Sequence, residues 1–143
     1  MAFNFFTDPL DPPRPREDVR LRSITLNIYS DLRRVAFGAE LSPFMERPSI
    51  DIVITNARGE TVSSLIVIES MAPTFRLTMH LRDPEPTNPY RLVAVLYYTW
   101  PEKTEKLEVE RREISFDVIE PEEKVFLFEK PPRPAPEPDQ EED

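Results

Sequence analysis

The chain has 143 residues, a formal net charge of −9 at pH 7, no cysteine, one histidine, and two glycines against 17 prolines. This length suits a single domain with its own core, and the lack of cysteine excludes disulfides and thiolate metal sites. The negative charge disfavours binding to nucleic acid or to an anionic membrane. With Gly38 and Gly59 as the only glycines, a glycine-rich phosphate loop is excluded as well.

The first 18 residues are predicted to form an extended, proline-rich arm. Phe3, Phe5 and Phe6 cluster near its start, and the prolines that follow favour polyproline-like backbone. The three rings either anchor a partner protein or fold over the chain's own domain, where each buried ring contributes roughly 1.5–3 kcal/mol. Neither a signal peptide nor an apolar run long enough to span a bilayer is expected, so we predict a cytoplasmic location.

Residues 19–120 are predicted to form a β-sandwich of seven strands, because apolar and polar side chains alternate with the period of two of a strand. The expected strands are Val19–Tyr29, Arg33–Leu41, Ile50–Thr55, Thr61–Glu69, Thr74–Arg82, Tyr90–Tyr98 and Lys106–Val118. Asn56–Gly59 is predicted as a hairpin turn in which Gly59 supplies a positive φ. The arginines of the first hairpin are expected on a solvated face, paired with carboxylates: Arg20, Arg22, Arg33 and Arg34.

Two of these strands break their alternation. The fourth changes near Ser63–Ser64, which predicts either a β-bulge or burial on both faces. The seventh changes near Arg111–Arg112, which predicts a second bulge, because a shift of one residue moves every later side chain to the other face.

The sixth strand is predicted to be central, since β-branched and aromatic residues make both of its faces mostly apolar. One face has Tyr90, Leu92, Ala94, Leu96 and Tyr98, and the other has Arg91, Val93, Val95 and Tyr97. Such a strand lies within a sheet with its second face covered, or it presents an apolar patch. Val93, Val95 and Tyr97 are therefore candidate partner contacts, and a homodimer through this face is one expectation.

The residues around Tyr90 resemble a tyrosine corner. A proline-punctuated turn, Leu81–Pro89, leads directly into Tyr90. This resembles immunoglobulin-like and fibronectin type III-like sandwiches, in which a tyrosine near the start of strand F bonds back to the preceding loop. Leu92 stands where antibody domains have their second cysteine, and Trp100 follows this strand instead of lying on strand C. The likeness covers about residues 19–118 and implies a two-sheet fold without the inter-sheet disulfide.

The C-terminal part divides into a short apolar segment and an acidic tail. Residues 121–128 are compatible with an extra strand, and Phe126 and Phe128 are candidate partner contacts. Residues 129–143 combine proline with acidic side chains, which predicts a disordered tail. The complete fold prediction is an all-β, seven- to eight-stranded antiparallel immunoglobulin-like sandwich between a proline-rich arm and this tail.

No group of residues predicts catalysis. The only histidine, His80, lies mid-strand between Thr78 and Arg82, which is a poor setting for a general base. One histidine without cysteine cannot form a structural zinc site. Asp83 and Glu85 are candidates for calcium, but the spaced aspartates of a calcium loop are missing. We therefore predict no catalytic residue, no metal and no cofactor.

Three functions remain. The first is a non-catalytic interaction or scaffold module, which binds another protein or a second copy through edge strands or through its two aromatic ends. The second is a carbohydrate- or ligand-binding accessory module, in which exposed rings stack on sugars. Its candidate rings are Tyr29, Tyr97, Tyr98 and Trp100, and Trp100 is also a candidate contact for a partner protein. The third is a hydrolase on the same fold. Neither nucleic-acid binding nor membrane insertion is expected.

Overall fold

The computed structural model describes residues 9–100 and 105–129, which form two four-stranded sheets around a shared core. The predictions for Phe3, Phe5 and Phe6, and for the tail beyond Glu129, lie outside these residues. A turn of 3₁₀-helix, Arg16–Asp18, precedes the first strand. The strands are β1 (Leu21–Ile28), β2 (Arg34–Leu41), β3 (Ser49–Thr55), β4 (Thr61–Val67), β5 (Thr74–His80), β6 (Tyr90–Thr99), β7 (Lys106–Phe116) and β8 (Glu123–Leu127).

The strands pair in two antiparallel sheets. Sheet 1 has the order β5-β2-β1-β8, and sheet 2 has the order β4-β3-β6-β7. All neighbouring strands run antiparallel. The predicted all-β fold with seven to eight antiparallel strands is confirmed, and the apolar segment near the C-terminus supplies β8. β6 lies inside sheet 2, between β3 and β7, as its two apolar faces predicted.

The core lies between the sheets and takes alternate side chains from each strand. On β6 these are the residues predicted to share one face, and all of them are buried: Tyr90, Leu92, Ala94, Leu96 and Tyr98. On the opposite face Val93 and Val95 are half-buried, and the Lys106 ammonium lies 4.4 Å from the centre of the Tyr97 ring. Val95 pairs in register with Arg111 of β7. Long charged side chains therefore flank this second face. The aliphatic stems of such side chains cover apolar surface.

The predicted β-bulges occur close to their expected positions. In β4 the unpaired residue is Val62, next to Ser63–Ser64. In β7 it is Val109, two residues before Arg111–Arg112. A third bulge at Arg22, in β1, was not expected. A change of alternation shows that a residue is inserted, but it does not identify which residue the neighbouring strand leaves unpaired.

Tyr90 ties β6 to the loop before it. Its hydroxyl donates a hydrogen bond to Asp83 Oδ2 at 2.8 Å and accepts one from the Thr87 N–H at 2.9 Å. The ring stacks on Phe116 with the two centres 5.7 Å apart. The tyrosine thus bonds back to the preceding loop, which is the contact that the resemblance implied.

The Asp83 carboxylate is buried near the start of this loop. Burial alone would raise its pKa, but the hydrogen bonds from Tyr90 and from the Asn56 amide, 3.2 Å away, outweigh burial and hold the pKa below its ordinary value of 3.8. A buried carboxylate with several donors is stabilised in its charged form. The cluster therefore fixes the β5–β6 loop against the β3–β4 turn.

We expect Tyr90→Phe to lower the free energy of unfolding by about 1.5–3 kcal/mol, because it removes one donor from the buried Asp83 carboxylate and the acceptor of the Thr87 N–H. Urea denaturation at pH 7 measures this loss. Tyr29→Phe is the matched control, because the Tyr29 ring is only half-buried, beneath the Arg34 guanidinium. A Tyr90→Phe protein as stable as this control would contradict the role given to the hydroxyl.

The lowered pKa of Asp83 predicts a loss of stability in acid. Its contribution is complete above the unfolded pKa and is lost as the pH falls through the lower folded pKa, because the unfolded chain binds the proton first. Urea denaturation between pH 5 and pH 2 is expected to show a shallower decline for Asp83→Asn than for the unmodified chain. Parallel curves for the two proteins would show that Asp83 contributes nothing to the acid response.

Candidate functional site

The structure does not bring the predicted partner contacts together. Val93, Val95 and Tyr97 lie on the outer face of sheet 2, Trp100 lies at the end of β6, and the phenylalanines Phe126 and Phe128 lie on or next to β8 in sheet 1. A single site cannot contain all of them. A homodimer through the outer face of β6 stays a prediction.

The two phenylalanines near β8 pack on the core. Phe126 is half-buried opposite Ile24, and the Arg112 guanidinium lies 4.7 Å from the centre of the Phe128 ring. The exposed apolar residues of β8 are instead Val125 and Leu127, which point to the outer face of sheet 1. Neither of these was predicted as a contact.

Each ring that sequence reasoning offered for sugar stacking has a cation against it. Lys106 lies over Tyr97, and Arg34 lies 4.4 Å from the centre of Tyr29. The Arg16 guanidinium lies 5.6 Å from the centres of both Tyr98 and Trp100. Tyr98 is buried besides, and this burial raises its pKa to about 12. A cation over a ring competes with a sugar for that face of the ring.

The described residues hold no group of three or more His, Asp or Glu side chains that could bind a metal ion. His80 is exposed on β5, opposite Arg34 in register. A shallow depression of about 400 Å³ on the outer face of sheet 1 surrounds Gly38, and neither histidine nor cysteine is among its lining residues. Within 9–100 and 105–129, no helix has the length and apolar character needed to cross a membrane.

The sheet edges differ in how they are protected. Edge strands expose unpaired backbone groups, and proteins protect them with charged side chains or proline. Arg76 on β5, Glu113 on β7, and Glu123 with Lys124 on β8 provide such charges. β4, with the sequence Thr-Val-Ser-Ser-Leu-Ile-Val, contains neither a charged residue nor a proline. It is thus the unprotected edge among the strands that the structure describes.

Exposed apolar side chains lie along this edge. Ile66 is 59% exposed, Ile68 is 71% exposed and Met71 is 76% exposed. Leu65 and Val67 point to the core but are only half-buried, since no strand lies beyond β4 in its sheet. Near the start of β4, the Arg82 N–H donates a backbone hydrogen bond to Val62 O at 2.9 Å. Among the described residues, this is the backbone hydrogen bond that β4 makes on its open side, away from β3.

The β3–β4 turn sets the register of this edge strand. Gly59 adopts φ +82°, as predicted for the hairpin turn, and the Asn56 side-chain oxygen accepts hydrogen bonds from the N–H groups of Arg58 and Glu60 at 3.0 Å. This turn places Ile66 opposite Asp51 on the outer face. Ile66 is exposed there because the neighbouring outer-face positions do not cover it.

The other end of β4 carries an acidic residue in an unusual conformation. Glu69 has φ +50°, and its N–H donates to Ser49 Oγ at 3.0 Å. Its side chain is exposed beside a depression of about 270 Å³ that also contains Glu46 and Arg47. Non-glycine residues at positive φ are uncommon and are enriched at functional positions. Glu69 therefore lies just beyond the end of the edge strand at Val67.

Sequence reasoning did not single out β4 as a candidate site. The unbroken run Leu65–Ile68 predicted a bulge or burial on both faces, and the structure has the bulge but leaves Ile66 and Ile68 in solvent. The available signal was the absence of any charged residue or proline between Glu60 and Glu69. Without the strand order, that absence does not show whether the strand lies at a sheet edge and is open to pairing.

Comparison of the chain with protein-family models, with curated proteins and with solved structures gives no match. The candidate site therefore rests on strand order, exposure and charge. On these grounds we take it to be the β4 edge, defined as β4 together with Ile68, Glu69 and Met71.

Proposed function

We propose that the chain is a non-catalytic protein-interaction module on an immunoglobulin-like sandwich. The order β7-β6-β3-β4 corresponds to strands G, F, C and C′, and β1-β2-β5 corresponds to A, B and E. Tyr90 then lies at the start of strand F, as in a tyrosine corner. β8, beside β1, is an addition to this scheme.

The observation that carries the proposal is the unprotected, apolar β4 edge. An extended segment that pairs with such an edge gains main-chain hydrogen bonds, and its alternate side chains give specificity. Burying the exposed parts of Ile66 and Ile68 contributes about 1–2 kcal/mol each. The β4 edge therefore suits a partner segment that is extended and apolar at alternate positions.

Replacing Ile66 with lysine is expected to abolish partner capture, because a charge on the edge opposes strand pairing. The full chain, Ile66→Lys and Val125→Lys serve as baits in extract of the source cells, followed by mass spectrometry. Val125 is the matched control, since it is an apolar residue on an edge strand with 57% exposure. We expect a partner that the unmodified chain and Val125→Lys retain and that Ile66→Lys loses.

Two results would contradict this function. One is the recovery of the same partners by Ile66→Lys and by the unmodified chain. The other is a partner that Val125→Lys loses and Ile66→Lys keeps, which would assign binding to the β8 edge. Circular dichroism of each bait confirms that the substituted proteins keep the β-sheet fold.

A further inference from the structure

We propose that the partner segment carries a basic residue beside its alternating apolar residues, and that this residue pairs with Glu69. The inference rests on the proposed function, because it names the chemistry of the segment that the β4 edge accepts. The recognised element is an extended stretch of the form basic-apolar-x-apolar, read from the segment's N-terminus.

The charges at the two ends of β4 are unequal. Before its start, Glu60 is paired with Arg58 at 3.2 Å, so this carboxylate already has a cation beside it. At its end, Glu69 is exposed, and among the described residues no basic side chain lies within ion-pair distance of it. Glu46, which lines the depression beside Glu69, is itself paired with Arg16 at 2.8 Å, and Arg47, which lines it too, forms no ion pair with Glu69. Glu69 is therefore the carboxylate left to receive a cation from a partner.

The position of Glu69 fixes where that cation must lie. Ile66 and Ile68 alternate along the exposed row, and Glu69 follows Ile68 directly. Antiparallel pairing is the commoner arrangement of neighbouring strands. It places the N-terminal end of the partner segment next to Glu69. The basic residue opposite Glu69 then directly precedes the apolar residue opposite Ile68, and the second apolar residue lies opposite Ile66.

The total charge of the chain favours the same kind of partner. At a formal net charge of −9, two copies repel one another, and a basic segment is attracted. If two copies paired through this edge, the Glu69 of one copy would face the uncharged β4 residues of the other and would gain no ion pair. Electrostatic complementarity therefore favours a basic segment of a different protein over self-pairing.

The test uses two acetylated, amidated peptides, Lys-Val-Thr-Val-Thr-Thr and Glu-Val-Thr-Val-Thr-Thr, titrated into the ¹⁵N-labelled full chain. Amide shifts of residues 61–69 report binding at the β4 edge. We expect the lysine peptide to bind about fivefold more tightly at low salt, and the difference should shrink at 0.5 M NaCl because salt screens exposed charges.

Charge reversal decides whether Glu69 is responsible. In Glu69→Lys the preference is expected to invert, so that the glutamate peptide binds more tightly. Glu120→Lys changes the net charge by the same amount at an exposed position of the β7–β8 connection, and it should keep the original preference. Both replacements introduce lysine, so the comparison isolates the position of the charge.

The outcomes separate the two proposals. If Ile66→Lys abolishes binding of both peptides but Glu69→Lys keeps the lysine preference, the edge binds partners and the role of Glu69 is wrong. If neither peptide shifts the amides of residues 61–69, or if Ile66→Lys binds both normally, the proposed function itself is wrong. Amide shifts that depend on protein concentration without peptide would show a second copy on the edge and overturn the choice of a basic partner.

Discussion

Leu92→Ala is expected to lower the free energy of unfolding by about 3–5 kcal/mol, because it removes a fully enclosed side chain and leaves a cavity in a rigid core. Leu92 pairs with Ile54 of β3 and Ile114 of β7, both of which are buried. The surrounding strands cannot close over the gap, since they are held on both sides by sheet pairing. Urea denaturation followed by circular dichroism measures the loss.

Val93→Ala is the matched control. Val93 follows Leu92 on the same strand but points to the half-buried outer face of sheet 2. We expect a loss of about 1 kcal/mol or less, since fewer buried groups are removed. The opposite ranking would mean that the register of β6 is shifted by one residue, because such a shift exchanges the two faces.

The second large effect concerns Arg22, at the unexpected bulge of β1. Its side chain is 3% exposed, and its guanidinium donates to Asp11 at 2.6 and 2.8 Å. The Glu129 carboxylate lies 3.5 Å from Arg22 Nε and pairs with Arg14 at 3.0 Å. The hydrogen bond from Arg22 holds the pKa of Asp11 below its ordinary value. These ion pairs hold residues of the N-terminal arm, and Glu129 just after β8, against β1.

We expect Asp11→Leu to cost about 3 kcal/mol, because it leaves the buried Arg22 charge without its closest partner. The double variant Arg22→Met with Asp11→Leu should recover most of that loss, since apolar residues of similar size often replace a buried ion pair at little cost. Urea midpoints of the two variants and the unmodified chain test this. A double variant no more stable than Asp11→Leu would show that the destabilisation has another cause.

The alternation of side chains predicted the strands because it reflects which face each residue presents. It could not predict how strands are shared between sheets, and burial depends on that. Phe37 and Leu77 point to the same core and are opposite one another in register. Phe37 is fully buried in an inner strand, whereas Leu77 is 37% exposed on an edge strand. The strand order is set by contacts between residues far apart in the chain, which no local pattern contains.

Arg22 shows the same limit for charged residues. The sequence predicted it on a solvated face with Arg20, Arg33 and Arg34, and this is wrong for Arg22, which is buried. A bulge turns its side chain under the arm, where Asp11 neutralises it. Tyr90, by contrast, was predictable because its partners Asp83 and Thr87 are close in sequence and the proline-punctuated loop marks their turn.

The residues of β8 show a further limit of the sequence pattern. Its residues are apolar on both faces, so the pattern Val-Phe-Leu-Phe does not reveal which pair points inward. Pairing with β1 turns Phe126 toward the core and leaves Val125 and Leu127 outside. The β4 edge has the same ambiguity, and only the strand order shows that Ile66 lies at an open edge.

Amide hydrogen exchange of the complex tests the central claim most directly. The claim is that a partner adds a strand to β4, and new main-chain hydrogen bonds slow exchange of the amides that make them. With the partner recovered by the unmodified chain, we predict at least tenfold slower exchange within residues 61–67 and no change in β8. Unchanged exchange across residues 61–67, with protection on β5, β7 or β8 instead, would contradict the account.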